Sequence, residues 1–149
     1  FTAAYAEIEA TYLVPPGSHL TTIAEVDQPG IRISVSAGSA YGLWLENNIR
    51  NADLYPVKGK QASVQFVEDK MDALAGLRSQ LSNEAKNLTG ARVLDGQFTA
   101  VQQAVGINKG NDAALQWLEQ FVVQIKANGQ VADLIKRFNV EGQLSVAPP

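Results

Sequence analysis

The stretch RISVSAGSAYGLWL, Arg32 to Leu45, sets four small residues, Ser36–Ser39, between a β-branched run and an apolar segment that reads as a helix. That order is a strand, a tight turn and a helix start. If Ser39 opens the helix, the backbone N–H groups of Ser39, Ala40 and Tyr41 have no intrahelical partner. With the positive end of the helix dipole they form a small anion site suited to a carboxylate. The small side chains of Ala37, Gly38 and Ala40 would let a ligand approach the backbone. The same residues also make an ordinary loop in which Ser39 is only an N-cap, and the pattern alone leaves both readings open.

No other constellation carries chemistry of comparable definition. Ser39 is not in a G-x-S-x-G elbow, because position 37 is alanine. Gly59–Lys60 lacks the earlier glycine and the following Ser or Thr of a phosphate loop, and Gly38 with Gly42 is no dinucleotide fingerprint. His19 is the only histidine and follows a turn; an exposed loop residue is expected there. The acidic residues Glu7, Glu9, Glu46, Glu68, Asp69 and Asp72 are scattered over what read as solvated faces. Trp44 and Trp117 are expected in the core. Asn87–Leu88–Thr89 is a formal glycosylation sequon, without meaning in a bacterial protein. There is no cysteine, so disulfides and thiolate metal sites are excluded. No cofactor and no metal are expected.

The elements that position these residues are bounded by length and composition. A chain of 149 residues is one ordinary domain or two small lobes. With 46% hydrophobic and 18% charged residues it has the composition of a soluble globular protein. A formal charge of −3 argues against nucleic acid, which needs a concentrated basic surface. No apolar run approaches the roughly 20 residues that span a bilayer. The chain begins at Phe1 with no initiator methionine, which reads as a processed or excised piece, from which a targeting segment could have been removed.

Along the chain, Tyr5–Val14 alternates as a strand with Ile8, Ala10, Tyr12 and Val14 on one face, and PPGS at 15–18 stops it. Thr21 or Thr22 caps a short helical turn. Ile31–Val35 reads as a strand and Ala40–Ile49 as a helix with Leu43, Trp44 and Leu45 on its apolar side. A strand at Asp53–Val57 and a helix at Gln61–Asp69 burying Val64, Phe66 and Val67 follow. Met71–Ala75 is expected as a strand, Ser79–Asn87 as a helix, and Ala91–Leu94 and Ala100–Ile107 as extended segments. Asn111 or Asp112 caps a helix with Leu115, Leu118, Val122 and Ile125 on one stripe, ended by Asn128–Gly129. A last helix aligns Val131, Leu134, Ile135 and Phe138, and the tail EGQLSVAPP is expected to be loose. Alternating strands and helices predict an α/β fold, a doubly wound, mainly parallel sheet. Ligands of such sheets sit beyond the carboxyl ends of the strands, against helix N-termini.

The order of segments resembles the extracellular, or periplasmic, solute-binding proteins of ABC importers, in particular the polar amino acid-type family. FTAAY at 1–5 is similar to that family's FSxPY, and ATYLVPPGS to its crossing strand ending LLVxKGS. TIAEVDQPGIRISVSAGSAYGLWL follows SLADLKGKKVGVxxGTxxxxxL nearly position by position. VEDKMDALAG resembles LxxGRVDAxxxD, QQAVGINKGND resembles YGIAVRKGDPEL, and WLEQFVVQIKANGQVADLIKRF resembles NxALxxLKxDGTYxxIxxKWF. Each motif alone is weak; six in the same order cover essentially the whole chain.

The resemblance implies the class II periplasmic-binding fold: two α/β lobes joined by two crossing segments, with the ligand in the cleft between them. On that plan residues 1–17 are the first crossing strand, 18–98 the second, solute-binding lobe, and 99–110 the return crossing. Residues 111–149 are then the C-terminal helices of the first lobe and the tail, while the segments that begin that lobe have no counterpart. The apolar stripes of the last two helices, with Trp117 and Phe121, would lack the sheet they normally cover. The expectation is a homo-oligomer, formed through these first-lobe elements or by exchanging a strand. Carried over position by position, Ser36, Gly38, Ser39, Ala40 and Tyr41 fall on the turn that holds a ligand carboxylate. The family's acidic residue for an α-ammonium would fall at Leu77 or beside it, where this sequence has Arg78. Arg78 then either favours an anionic ligand or is a solvated surface arginine. Tyr5, Gln102 and Gln103 fall on the crossing segments, where structural duty is expected.

The function implied is non-catalytic binding of a small polar or anionic solute, amino-acid-like or a carboxylate, outside the cytoplasm and in partnership with an ABC permease. A cyclohexadienyl dehydratase-like enzyme on the same scaffold would need an acid–base pair in the cleft, and none is visible. The effector-binding domain of a transcription regulator would ordinarily follow a helix-turn-helix, which this chain does not contain.

Overall fold

The β-branched and aromatic content of residues 4–14 makes the longest strand of the protein, β1 (Ala4–Val14), in a structure that is a computed structural model describing all 149 residues. After it come α1 (Ile23–Val26), β2 (Arg32–Ser36), α2 (Ala40–Asn48), β3 (Asp53–Val57), α3 (Gln61–Glu68), β4 (Ala73–Leu77) and α4 (Arg78–Asn87). The chain continues through β5 (Arg92–Val93), β6 (Thr99–Ala104), α5 (Asp112–Ala127), α6 (Gln130–Arg137) and β7 (Leu144–Val146). Two compact units divide it: Glu9–Ala100, and Phe1–Ile8 with Val101–Pro149.

In the unit Glu9–Ala100 the strand order is β3-β2-β4-β1-β5. β2 runs parallel to both β3 and β4, which gives the expected α/β core. β1 closes that core antiparallel to β4, with Ala10 opposite Leu77 and Leu13 opposite Leu74. Strand alternation sorts the side chains to two faces. Leu13 and Leu74 turn to α3 and α4, where they pack with Ala62, Phe66, Met71 and Leu81. Ile33 and Val35, also buried, take the opposite face of β2 from Ser34. Ser34 is buried on the α3 side, with its hydroxyl 2.8 Å from the Ala62 carbonyl and 2.7 Å from the Gln65 side-chain oxygen, so its burial carries no unpaired polar group.

Two expected elements differ here. Helix α3 buries Ala62 and Phe66, one turn apart, and leaves Val64 and Val67 more than half exposed. The stripe that meets the sheet runs through positions 62 and 66, and 64 and 67 point off it. Strand β4 starts two residues later than expected, because Asp69–Met71 are used in ending α3. There the Asp69 and Met71 amides bond back to the Gln65 and Phe66 carbonyls, and Lys70 takes a left-handed φ of 49°. Asp72 then receives the Arg32 amide on its carboxylate at 2.8 Å, which fixes the start of β2.

In the other unit β7 pairs antiparallel with the first half of β1, Ala6 opposite Val146 and Ile8 opposite Leu144, and Ala147 is buried. The tail expected to be loose is therefore a strand. Its period-two alternation, Leu144 and Val146 around Ser145, matches the edge that β1 offers. Helices α5 and α6 bury Val122 and Val131, while Trp117 and Val123 on α5 and Phe138, the residue after α6, are more than 60% exposed. Trp117 and Phe121, one turn apart on α5, stack with ring centroids 5.4 Å apart. Trp117 is thus a surface residue, contrary to expectation. No helix is long and apolar enough to cross a membrane.

Candidate functional site

The order β3-β2-β4 means that the chain leaves β2 in one direction and returns over it to β4. Right-handed connections then place α2 and α3 on opposite faces. At such a reversal a crevice opens beyond the carboxyl ends of the two diverging strands, here β2 and β4. Their register, Ile33 opposite Ala73 and Ser34 opposite Leu74, brings the Ser36 end of β2 beside the Gly76–Leu77 end of β4. Strands in a sheet lie about 4.8 Å apart, so the turns that follow these two are neighbours.

The turn after β2 is the predicted Ser36–Tyr41 segment. Gly38 has φ 74°, a conformation that side chains disfavour, and nothing lies near the place a Cβ would occupy. Ser39 is the N-cap of α2. Its hydroxyl donates to the Ser36 carbonyl at 2.7 Å and accepts the Gly42 amide at 3.0 Å. The Ser39 amide donates to the same carbonyl at 3.3 Å, so it is engaged inside the turn rather than open to a ligand. The amides of Ala40 and Tyr41 donate to no group of the protein, and Ala40 is exposed. Two open amides at the head of a nine-residue helix are what remains of the predicted anion site.

The turn after β4 carries Arg78, whose side chain is 17% exposed. Its Nε donates to the Glu9 carboxylate at 2.5 Å, its Nη1 to the Leu94 carbonyl at 3.2 Å, and its Nη2 to the Gly96 carbonyl. The anion that this guanidinium meets is the protein's own Glu9, and the solvated arginine of the alternative expectation is absent as well. Arg78 ties the first residues of α4 to β1 and to the 94–96 loop.

Ser36 and Tyr41 also line a pocket of about 470 Å³ with Lys60, which the sequence offers only as part of an incomplete phosphate loop, and with Gln80 and Glu84, which no sequence pattern marks. Gly38, Ser39, Ala40 and Arg78 are not among its walls. These three residues lie at the start of α3 and along α4; only the packing of those two helices on one face brings them to Ser36. Tyr5 belongs to the unit Phe1–Ile8 with Val101–Pro149, where it lines an apolar groove with Phe121, Leu134 and Phe138.

Trp44 is half-buried and stacks on Phe98 at 5.5 Å, and Phe98 packs on Tyr12 at 4.6 Å, so this tryptophan is structural as expected. Burial, and then the Asp27 carboxylate, push the Tyr12 phenol above its usual range. Burial acts to raise the Asp27 carboxyl too, but the amides of Ala52, Asn51 and Arg50 outweigh it and hold that group below the usual carboxylate range. These amides reach Asp27 at 2.8–3.2 Å and fix the approach to β3. His19 is exposed, in a separate surface depression with Glu25 and Gln28. Chemically, the amides of Ala40 and Tyr41 offer hydrogen-bond donors to an anion.

No family model matches the chain, and no curated protein matches it. Solved structures do. One is a binding component of an ABC transporter from Wolinella succinogenes complexed with lysine, with a TM-score of 0.70 and 23% identity over 92% of this chain and 61% of that one. The solute receptor for L-cysteine of Neisseria gonorrhoeae matches with a TM-score of 0.67 and 19% identity, over 92% of this chain and 56% of that one. An ancestral amino acid-binding protein, a precursor of cyclohexadienyl dehydratase, matches with a TM-score of 0.66 and 20% identity, over 92% of this chain and 60% of that one. The fold is that of class II periplasmic-binding proteins, and the chain spans about 60% of the length of these structures.

Proposed function

We propose that the chain is the solute-binding component, or a shortened relative, of an ABC importer, and that it binds a small polar or anionic solute without chemical change. The observation that carries this reading is the pair of open amides, Ala40 and Tyr41, at the head of α2 beside the carboxyl ends of β2 and β4. A carboxylate there would accept two N–H groups and sit at the positive end of the helix. Ser36 and Gly38 shape the turn, Ser39 holds it closed, and Arg78 positions the neighbouring turn through Glu9. Support also comes from the fold, whose matched structures include proteins described with lysine and for L-cysteine. A periplasmic or extracellular site of action and an ABC permease as partner go with this reading. So does a second copy of the chain, which would cover the exposed faces of α5 and α6.

A thermal-shift screen of carboxylic acids, amino acids and opines tests it. At a hundred times Kd a ligand adds about 2.7 kcal/mol of stability, a readily measured rise in Tm. Carboxylates are expected to raise Tm and their methyl esters are not. No rise with any carboxylate would overturn the proposal, and turnover of a hit would move the reading to a dehydratase.

A further inference from the structure

Strand β3 ends the sheet order β3-β2-β4-β1-β5, so its outer edge has no neighbour. Such an edge presents a row of backbone N–H and C=O groups on which the strand of another chain can pair. These groups alternate sides along a strand, and the register shows which residues of β3 face β2. The Asp53 amide donates to the Ile31 carbonyl at 2.9 Å, and the Val57 carbonyl accepts the Ala37 amide at 2.8 Å. Residues 53, 55 and 57 therefore direct their backbone groups to β2, and residues 54 and 56 turn theirs outward. Position 56 is proline, which has no N–H. The same ring at 53, 55 or 57 would remove a bond that holds β3 to the sheet; at 56 it removes none.

The segment is one that needs such a guard. Leu54, Tyr55 and Val57 form a short run rich in strand-forming side chains, of the kind that pairs between chains when nothing interrupts it. Tyr55 and Pro56 are exposed. At the other end of the strand order β5 has only two residues, too few to template a partner. Through its Val57 carbonyl β3 also holds Ala37, the residue that follows β2, so keeping β3 on the sheet keeps the turn into α2 in place.

We infer that Pro56 closes the β3 edge to strand addition, whether by an extended peptide or by a second copy of the chain. The outward groups that remain are the Leu54 amide and the Leu54 and Pro56 carbonyls, and a single donor is too short a ladder to hold a strand. Association of the chain then uses a surface other than this edge. The inference is independent of the solute-binding reading and of the α2 amides.

The experiment compares the full chain with Pro56→Val by amide hydrogen exchange at rising protein concentration, with thioflavin T fluorescence followed alongside. In the parent, the Leu54 amide is expected to exchange equally fast at every concentration. In Pro56→Val the amides at positions 54 and 56 should slow by about tenfold or more as concentration rises, and the thioflavin T signal should appear about tenfold sooner. Pro56→Ala adds the same donor without a β-branched side chain and should move both readouts in the same direction, less far; it carries the test if Pro56→Val does not fold. The inference is overturned if the folded variants match the parent in both readouts. Aggregation of the variants without slowed exchange at 54 and 56 would overturn it too, because their association would then not run through this edge. So would a parent whose Leu54 amide already slows with concentration, since the edge would be open with Pro56 in place.

Discussion

Gly42 shows how little freedom the α2 turn has. A Cβ there would lie 2.7 Å from the Ser39 hydroxyl and 2.8 Å from the Ser36 carbonyl, and the carbonyl is backbone that cannot step aside. Glycine to alanine inside a helix normally stabilises by roughly 0.5–1 kcal/mol. Gly42→Ala is expected to reverse that sign and destabilise by about 1–3 kcal/mol in chemical denaturation. Ser39→Ala loses the cap on Gly42 and should destabilise by about 1 kcal/mol. Two titrating residues give opposite pH signatures. Asp27 has a lowered carboxyl pKa, so its contribution is present at neutral pH and lost as pH falls below the usual carboxylate range. Asp27→Asn should therefore be less stable than the parent at neutral pH and converge with it in acid. Tyr12 has a raised phenol pKa, so stability is intact below pH of about 10 and lost above it as the unfolded chain ionises. Tyr12→Phe should flatten that alkaline loss. Of all this, the cap at Ser39 was legible from its residue type and place. The role of Arg78 was not, because its partner Glu9 stands 69 residues away.

The elements of the α/β core were legible because each is local: β3 at Asp53–Val57 falls where the sequence pattern puts it. Errors arose where a tertiary neighbour decides. Val64 and Val67 look like core residues until the sheet selects the 62–66 stripe of α3, and β4 starts late because α3 needs residues to finish. The tail is a strand rather than loose for the same reason, since three residues cannot form a strand without an edge to join. Truncation after Gln143 removes Leu144–Val146 from that edge. It should speed amide hydrogen exchange within Ala6–Ile8 and leave the β2–β4 core protected. Unchanged exchange at Ala6–Ile8 would mean that the pairing contributes nothing to the order of β1.

The chain spans about 60% of the length of the structures it resembles, and the exposed Trp117, Phe121, Leu134 and Phe138 present an apolar surface that monomers seldom leave bare. Light scattering at micromolar concentration is expected to report a mass above that of one 16.0 kDa chain. A charge placed in the patch, Phe138→Glu, should return it to one chain. A clean monomer in both cases would remove the second copy from the reading. The solute-binding proposal itself rests on the Ala40 and Tyr41 amides, and one titration addresses them without intermediaries. Nitrogen-15 spectra of the chain, recorded while a carboxylate that raises Tm is added, should show these two amide resonances moving downfield and saturating at the concentration that saturates the thermal shift. If the ligand binds and those two resonances stay where they were, the helix head does not hold the solute.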